Sequence, residues 1–216
     1  MTLLDQDIRE PLFDFLEGEY GKIRILEEKQ IGRSRADIVM VSDEGIYGIE
    51  IKSDADSYAR LKRQVRDYNR FYDYNIIAVG TRHAFHVHEH VPWWWGIITV
   101  ELYDGKVDFY YARRPERNPE RSMEDQLTML WRPELVKIQE AFALPAYREK
   151  SKAFVQQKIL EKLPEELVEK EIRRLLFERD YTMIEQEINS FRRSKGKRKK
   201  RRTKAGIGHT HQFETP

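Results

Sequence analysis

Between residues 22 and 80 the hydrophobic period of the chain changes twice, and that alternation restricts it to an α/β architecture. KIRILEE at 22–28, RADIVMV at 35–41 and GIYGIEIK at 45–52 are strand-length runs rich in Ile and Val, divided by Gly, Ser and acidic turn residues. Residues 57–74 then place Tyr58, Leu61, Val65, Tyr68 and Tyr72 near helical spacing, and NIIAVG at 75–80 is the almost wholly apolar run of a strand covered on both faces. A helix between two such strands predicts a crossover. WGIITVEL at 95–102 and VDFYYA at 107–112 extend the sheet across a Tyr-Asp-Gly-Lys turn. Ahead of the strands, Leu4, Ile8, Leu12, Phe15 and Leu16 predict a helix, with Pro11 expected to disfavour an unbroken run through Glu10. After Ala112 the strand signal ends. Residues 113–133 are expected as a linker, and 134–143, 147–162 and 165–189 as helices, Pro164 suiting a first turn. The expected division is therefore an α/β core at 1–112 with a mixed central sheet flanked by helices, an α-helical C-terminal region at 134–190, and a tail at 191–216.

Charge is segregated along this plan. Residues 1–190 hold 29 bases against 36 acids, a net of −7, whereas 191–216 hold ten bases and one acid, a net of +9. The block containing Lys197, Arg198, Lys199, Lys200, Arg201 and Arg202 cannot bury apolar area against its own repulsion, so it is expected to be disordered and attracted to nucleic acid or another polyanion. The 216 residues contain no cysteine, which excludes disulfides, thiolate zinc sites and a Cys nucleophile. No apolar run approaches the roughly 18 residues needed to span a bilayer, and Met1–Glu10 is acidic where a signal peptide is apolar. A cytoplasmic protein without membrane contact is expected.

The segment 37–52 carries charge where a strand should be apolar. If Ser42–Gly45 is a four-residue hairpin loop, Val41 opposes Ile46, and the same register sets Asp37 against Glu50. Directly opposed side chains have Cβ atoms about 4.5–5.5 Å apart, and like charges there destabilise the sheet unless a positive charge intervenes. A divalent cation supplies it. Lys52, two residues beyond Glu50, shares the face, and a few hard oxygen ligands favour Mg²⁺ or Mn²⁺. A surface hairpin with a charged outer face would carry the same letters, but the apolar flanks argue for a buried sheet.

RADIVMVSDEGIYGIEIKSD, followed by a helix containing Gln64 and Tyr68, resembles the PD-(D/E)XK nuclease superfamily and its RecB-like and Holliday-junction-resolvase-like branches. Asp37 matches the motif aspartate, with Ala36 replacing the usual proline; Glu50, Ile51 and Lys52 match the E-x-K triplet; Gln64 and Tyr68 match the Gln-x-x-x-Tyr helix motif. The stretch from DIREPL to VPWWWGI also resembles a compact bacterial and phage family assigned to this superfamily. The resemblance covers about residues 5–112. It implies a restriction-endonuclease-like core and hydrolysis of DNA, with Asp37, Glu50 and the Ile51 carbonyl holding Mg²⁺ or Mn²⁺, Lys52 orienting the attacking water, and Gln64 and Tyr68 in support. The superfamily often adds a first-helix acid, for which Asp7 and Glu10 are the candidates. An RNA substrate, or a catalytically silent nucleic-acid-binding scaffold on the same fold, is the alternative, and a homodimer fits either.

Other features are weaker. Arg35 beside the hairpin, and Arg82 and His83 at the end of the 75–80 strand, are candidate phosphate contacts. His83, His86, His88 and His90 lack a carboxylate or cysteine at a recognised ligand spacing, and Trp93, Trp94 and Trp95 read mainly as packing. A Gly-rich triphosphate loop and a serine elbow are both absent from the sequence.

Overall fold

The computed structural model describes residues 3–180, so the basic residues Lys197–Arg202 lie outside the described part. Six strands form one mixed sheet in sequential order: β1 (Arg24–Ile31), β2 (Ser34–Val41), β3 (Ile46–Lys52), β4 (Tyr74–Gly80), β5 (Gly96–Tyr103) and β6 (Lys106–Arg113). The β3–β4 and β4–β5 pairs are parallel and the others antiparallel. The parallel pair β3–β4 is joined, as expected, by a helical crossover, a short 3₁₀ turn (Tyr58–Arg60) leading into α2 (Leu61–Phe71).

Both faces of the sheet are covered. Helix α1 (Asp5–Tyr20) packs Ile8, Leu12 and Leu16 against Ile38, Met40, Ile49, Ile76 and Ile98. The opposite face takes Val39, Val41, Ile77 and Val79 under α2, together with α4 (Met123–Leu127), α5 (Arg132–Ala141), α6 (Lys152–Lys162) and α7 (Glu165–Phe177). The C-terminal helices thus share one apolar cluster with the sheet. Residues 113–133, expected as a linker, include α4 and are tied down: the Asn118 side-chain amide donates to the Asn69 and Tyr72 carbonyls, each at 2.7 Å. The last helix, expected over 165–189, ends at Phe177, after which Arg179 turns inward onto Glu134 at 2.6 Å, both side chains being buried; 181–189 lie outside the described residues.

Pro11 sits inside α1 rather than interrupting it. Proline removes one backbone donor, but burial of Ile8, Leu12 and Leu16 outweighs one absent hydrogen bond. Among the described residues no helix is long and apolar enough to cross a membrane.

Gly48 in β3 is required by close packing. A Cβ there would lie 2.0 Å from Tyr72 Cδ2 and 2.8 Å from Tyr68 Cδ1, two rings that are fully buried. Gly48→Ala should therefore cost about 1–3 kcal/mol of overpacking, read as a lower urea midpoint at unchanged slope. An unaltered midpoint would show that the two rings give way freely.

Candidate active site

The β2–β3 hairpin keeps the expected register from Val41 opposite Ile46 to Ile38 opposite Ile49. One step further the ladder ends, and Asp37 does not pair with Glu50 through the backbone. Instead Asp37 Oδ2 accepts the Ile51 N–H at 2.9 Å. The cause lies on β1, where Glu28 has φ 53°, a left-handed conformation costing about 1–3 kcal/mol for a non-glycine residue. The pairing passes from Glu27–Ile38 to Lys29–Ala36 and skips this position. Leu26 and Ile31, five apart, consequently share one buried face, which a regular strand forbids. The kink frees Asp37 to lean toward β3.

Glu50 and Lys52 stand at the end of β3, on the face covered by α2, with relative exposures of 1% and 4%. Charges so deep in a sheet require partners. The Lys52 ammonium donates to Glu50 Oε1, which also accepts from Gln64 Nε2 at 2.5 Å, while the Tyr68 hydroxyl donates to Glu50 Oε2 at 2.7 Å. Gln64 and Tyr68 lie one turn apart on α2, so one helix face supplies both donors. Full burial, then the charges of Glu50 and Asp37, hold the Tyr68 hydroxyl well above its usual pKa, so it remains a donor. Burial, and next the neighbouring Glu50 charge, push the Asp37 carboxyl up to about 7, against smaller opposing contributions from the Ile51 N–H and Lys52.

These groups form the floor of a cleft of about 490 Å³ lined by Asp37, Glu50, Ile51, Lys52 and Gln64. Once Asp37 is ionised, two carboxylates and one ammonium leave one negative charge in excess, and Asp37 Oδ1 accepts no hydrogen bond among the described residues. The donor set fits one hard divalent cation held by Asp37, Glu50 and the Ile51 carbonyl. No cluster of three or more His, Cys, Asp or Glu side chains with metal-binding geometry occurs among the described residues, so the remaining positions of such a cation would fall to water or substrate oxygen.

Of the acids on the first helix, Asp5 lines the cleft, and Asp7 and Glu10, the candidates from sequence, do not. Asp5 lines the cleft and raises the Asp37 pKa slightly, whereas Asp7 caps the helix by accepting the Leu4 N–H at 2.9 Å and Glu10 points to solvent. At 3.6 residues per turn those two lie about 200° and 140° around the helix from Asp5. Asp5 is engaged by Arg9 at 2.9 Å, and Arg9 in turn donates to the Asp37 carbonyl at 3.1 Å. An Asp-x-x-x-Arg pair at helical spacing was the available sequence signal.

Arg35 lines the cleft as expected and pairs with Glu28. Arg82 and His83 do not line it. The Arg82 guanidinium donates to the Asp54 carbonyl at 3.2 Å, and His83 is buried with Nε2 3.1 Å from the Asp56 carbonyl and its ring on Tyr58. Both hold α3 (Thr81–Ala84) against the loop after β3. The cations that the sequence reading missed are Arg33, Arg60 and Arg63, exposed around the cleft mouth. Trp94 and Trp95 are buried as expected, Trp95 Nε1 donating to Asn69 Oδ1 at 2.7 Å, whereas Trp93, also expected to pack, is exposed.

None of the curated proteins is similar enough in sequence to count as a relative. Two solved structures share part of the arrangement. A protein of unknown function from Silicibacter pomeroyi is 24% identical, with a TM-score of 0.40 over 53% of this chain and 75% of that one. SfsA of Pyrococcus furiosus, solved in complex with Ca²⁺, is 13% identical, with a TM-score of 0.29 over 48% of this chain and 59% of that one. The sequence profile described as Bacteriophage P4 protein cII matches residues 2–203, nearly the whole chain, and the protein belongs to that family.

Proposed function

We propose that this chain is a metal-dependent nuclease of the PD-(D/E)XK type that hydrolyses phosphodiester bonds of DNA in the cytoplasm. The observation that carries the reading is the half-buried Asp37 beside the buried Glu50–Lys52 pair at the floor of an arginine-rimmed cleft. A protein that only bound nucleic acid would gain nothing from buried carboxylates beneath an anion-attracting mouth.

A divalent cation on Asp37, Glu50 and the Ile51 carbonyl would polarise the phosphate and lower the pKa of a bound water. Lys52, fixed by Glu50, would hold the attacking water and offset negative charge gathering on the phosphoryl oxygens. Gln64 and Tyr68 would keep the Glu50 carboxylate in place while its hydrogen bond to Lys52 loosens. The water oxygen would bond to phosphorus in line with the breaking P–O3′ bond, leaving a 3′-hydroxyl and a 5′-phosphate.

The test is cleavage of single-stranded, duplex and branched DNA and of RNA by the full chain, with Mg²⁺ or with EDTA. Mg²⁺-dependent cutting of DNA supports the reading. No cutting of any substrate leaves the scaffold alternative, and cutting of RNA alone replaces the substrate. The basic tail makes a separate prediction: deleting 192–216 should flatten the dependence of log affinity on log salt, because ten phosphate-neutralising cations are removed. An unchanged slope would show that the tail does not contact nucleic acid.

A further inference from the structure

The cleft has two walls of independent origin. One is the β1–β2 hairpin, which contributes Gln30, Arg33 and Arg35; the other is the head of α2 and the turn before it, which contribute Arg60, Arg63 and Gln64. The side chains of Arg33, Arg60 and Arg63 are exposed and make no hydrogen bond or ion pair among the described residues. Guanidinium groups from both walls thus rim a floor in which Glu50 and Lys52 are almost fully buried.

The walls are joined by Asp67. This residue lies on α2 one turn below Arg63 and is 7% exposed. Its Oδ2 accepts the backbone N–H of Arg33 at 3.2 Å, and its Oδ1 lies 3.0 Å from where a Cβ on Gly32 would stand. Gly32 has φ 49°, so the hairpin turn is tight and its tip rests directly on the Asp67 carboxylate. None of the cleft floor groups forms a hydrogen bond or ion pair with Asp67 among the described residues. Its hydrogen bond fixes the hairpin, and with it Arg33 and Arg35, relative to the wall that carries Arg60 and Arg63.

Resting on the nuclease reading above, we propose that the two walls clasp one nucleic-acid strand and that Asp67 is the positioning residue that sets their separation. With Glu50 and Lys52 at 1% and 4% exposure, a phosphate must descend to the floor to meet them. The cleft volume of about 490 Å³ is that of a site for one small ligand. A single extended strand can bring one phosphate down to that floor while its neighbours meet guanidinium groups of both walls, whereas a duplex carries a second strand that would have to pass between the same walls.

Binding is measured by fluorescence anisotropy on the full chain with Ca²⁺, using a labelled oligonucleotide as a single strand and as a blunt duplex of equal length. The single strand is expected to bind at least tenfold more tightly. Arg33→Ala and Arg63→Ala are each expected to weaken it several-fold and to lower the salt slope by about 0.7, as loss of one phosphate contact requires. Duplex binding as tight as single-strand binding overturns the proposal, as does an unchanged slope in both variants. In cleavage kinetics Asp67→Ala should raise KM about tenfold with kcat within threefold, and Asp67→Asn, which keeps an acceptor for the Arg33 N–H, should restore the wild-type KM. A raised KM in Asp67→Asn, or an Asp67→Ala effect confined to thermal stability, removes Asp67 from that role. If Asp67→Ala does not fold, Asp67→Asn and the arginine variants decide. Chains that bind the single strand preferentially but cut nothing would defeat the hydrolytic reading while leaving the clasp intact.

Discussion

Replacing Lys52 with methionine should lower the rate of DNA cleavage by on the order of 10²–10³-fold, the usual consequence of removing one group that stabilises developing charge. Methionine fills the same buried channel but leaves Glu50 without its counter-charge. Gln64 and Tyr68 still donate to Glu50, so the carboxylate is not orphaned, yet breaking one partner of a buried pair typically costs about 3–5 kcal/mol. The variant should accordingly melt well below wild type in EDTA and recover more than wild type when Mg²⁺ is added, since the cation replaces the missing charge. Thermal denaturation and single-turnover cleavage on the same preparation separate the two effects. Cleavage at the wild-type rate by a folded Lys52→Met chain would remove Lys52 from the chemistry.

Asp37→Asn should abolish cleavage and, in the metal-free protein, raise stability at pH 8. The sign follows from the direction of the shift. The folded Asp37 carboxyl titrates near 7, above the ordinary value of about 3.9 expected for the unfolded chain, so folding favours its protonated form. That contribution is complete below about pH 3.9 and is lost as pH rises through 7, leaving the metal-free protein weaker at pH 8 by a few kcal/mol. Asparagine imitates the protonated carboxyl and keeps an oxygen for the Ile51 N–H. Urea denaturation in EDTA at pH 5, 6.5 and 8 should show the pH dependence flattened in the variant. Cation binding has the reverse dependence: below pH 7 the ion must displace a proton, so the rise in melting temperature with Mg²⁺ should be larger at pH 8 than at pH 6 in wild type. An Asp37→Asn protein less stable than wild type at pH 8 would mean that Asp37 is ionised and satisfied without a cation.

Strand-period alternation made the sheet legible before any coordinates, because side chains alternate faces in strands and the β3–β4 crossover needs a helix. The β2–β3 register followed from arithmetic on one loop and agrees with the ladder from Val41–Ile46 to Ile38–Ile49. What the alternation rule could not foresee is Glu28, whose left-handed backbone resets the faces of β1 and ends the ladder before Asp37. A non-glycine residue is uncommon in that conformation, and nothing local marks this one. The helix phase failed for a different reason. Pro11 leaves the start of α1 open in the sequence, and only a start at Asp5 shows that the Asp5–Arg9 pair faces the cleft. Arg33, Arg60 and Arg63 could not be singled out among 39 basic residues, because they converge only when the hairpin folds onto α2 through Asp67. His83 was misread because a histidine after a strand end looks accessible, whereas Tyr58 and the Asp56 carbonyl enclose it.

The account depends on Asp37 and Glu50 gripping a single ion beside Lys52. Calorimetric titration of the full chain with Mn²⁺ at pH 7.5 reads this without requiring a substrate. One ion per chain should bind in wild type, and binding should vanish in Asp37→Asn and in Glu50→Gln. A flat titration of the wild type, or binding by either variant as tight as that of the wild type, would contradict it.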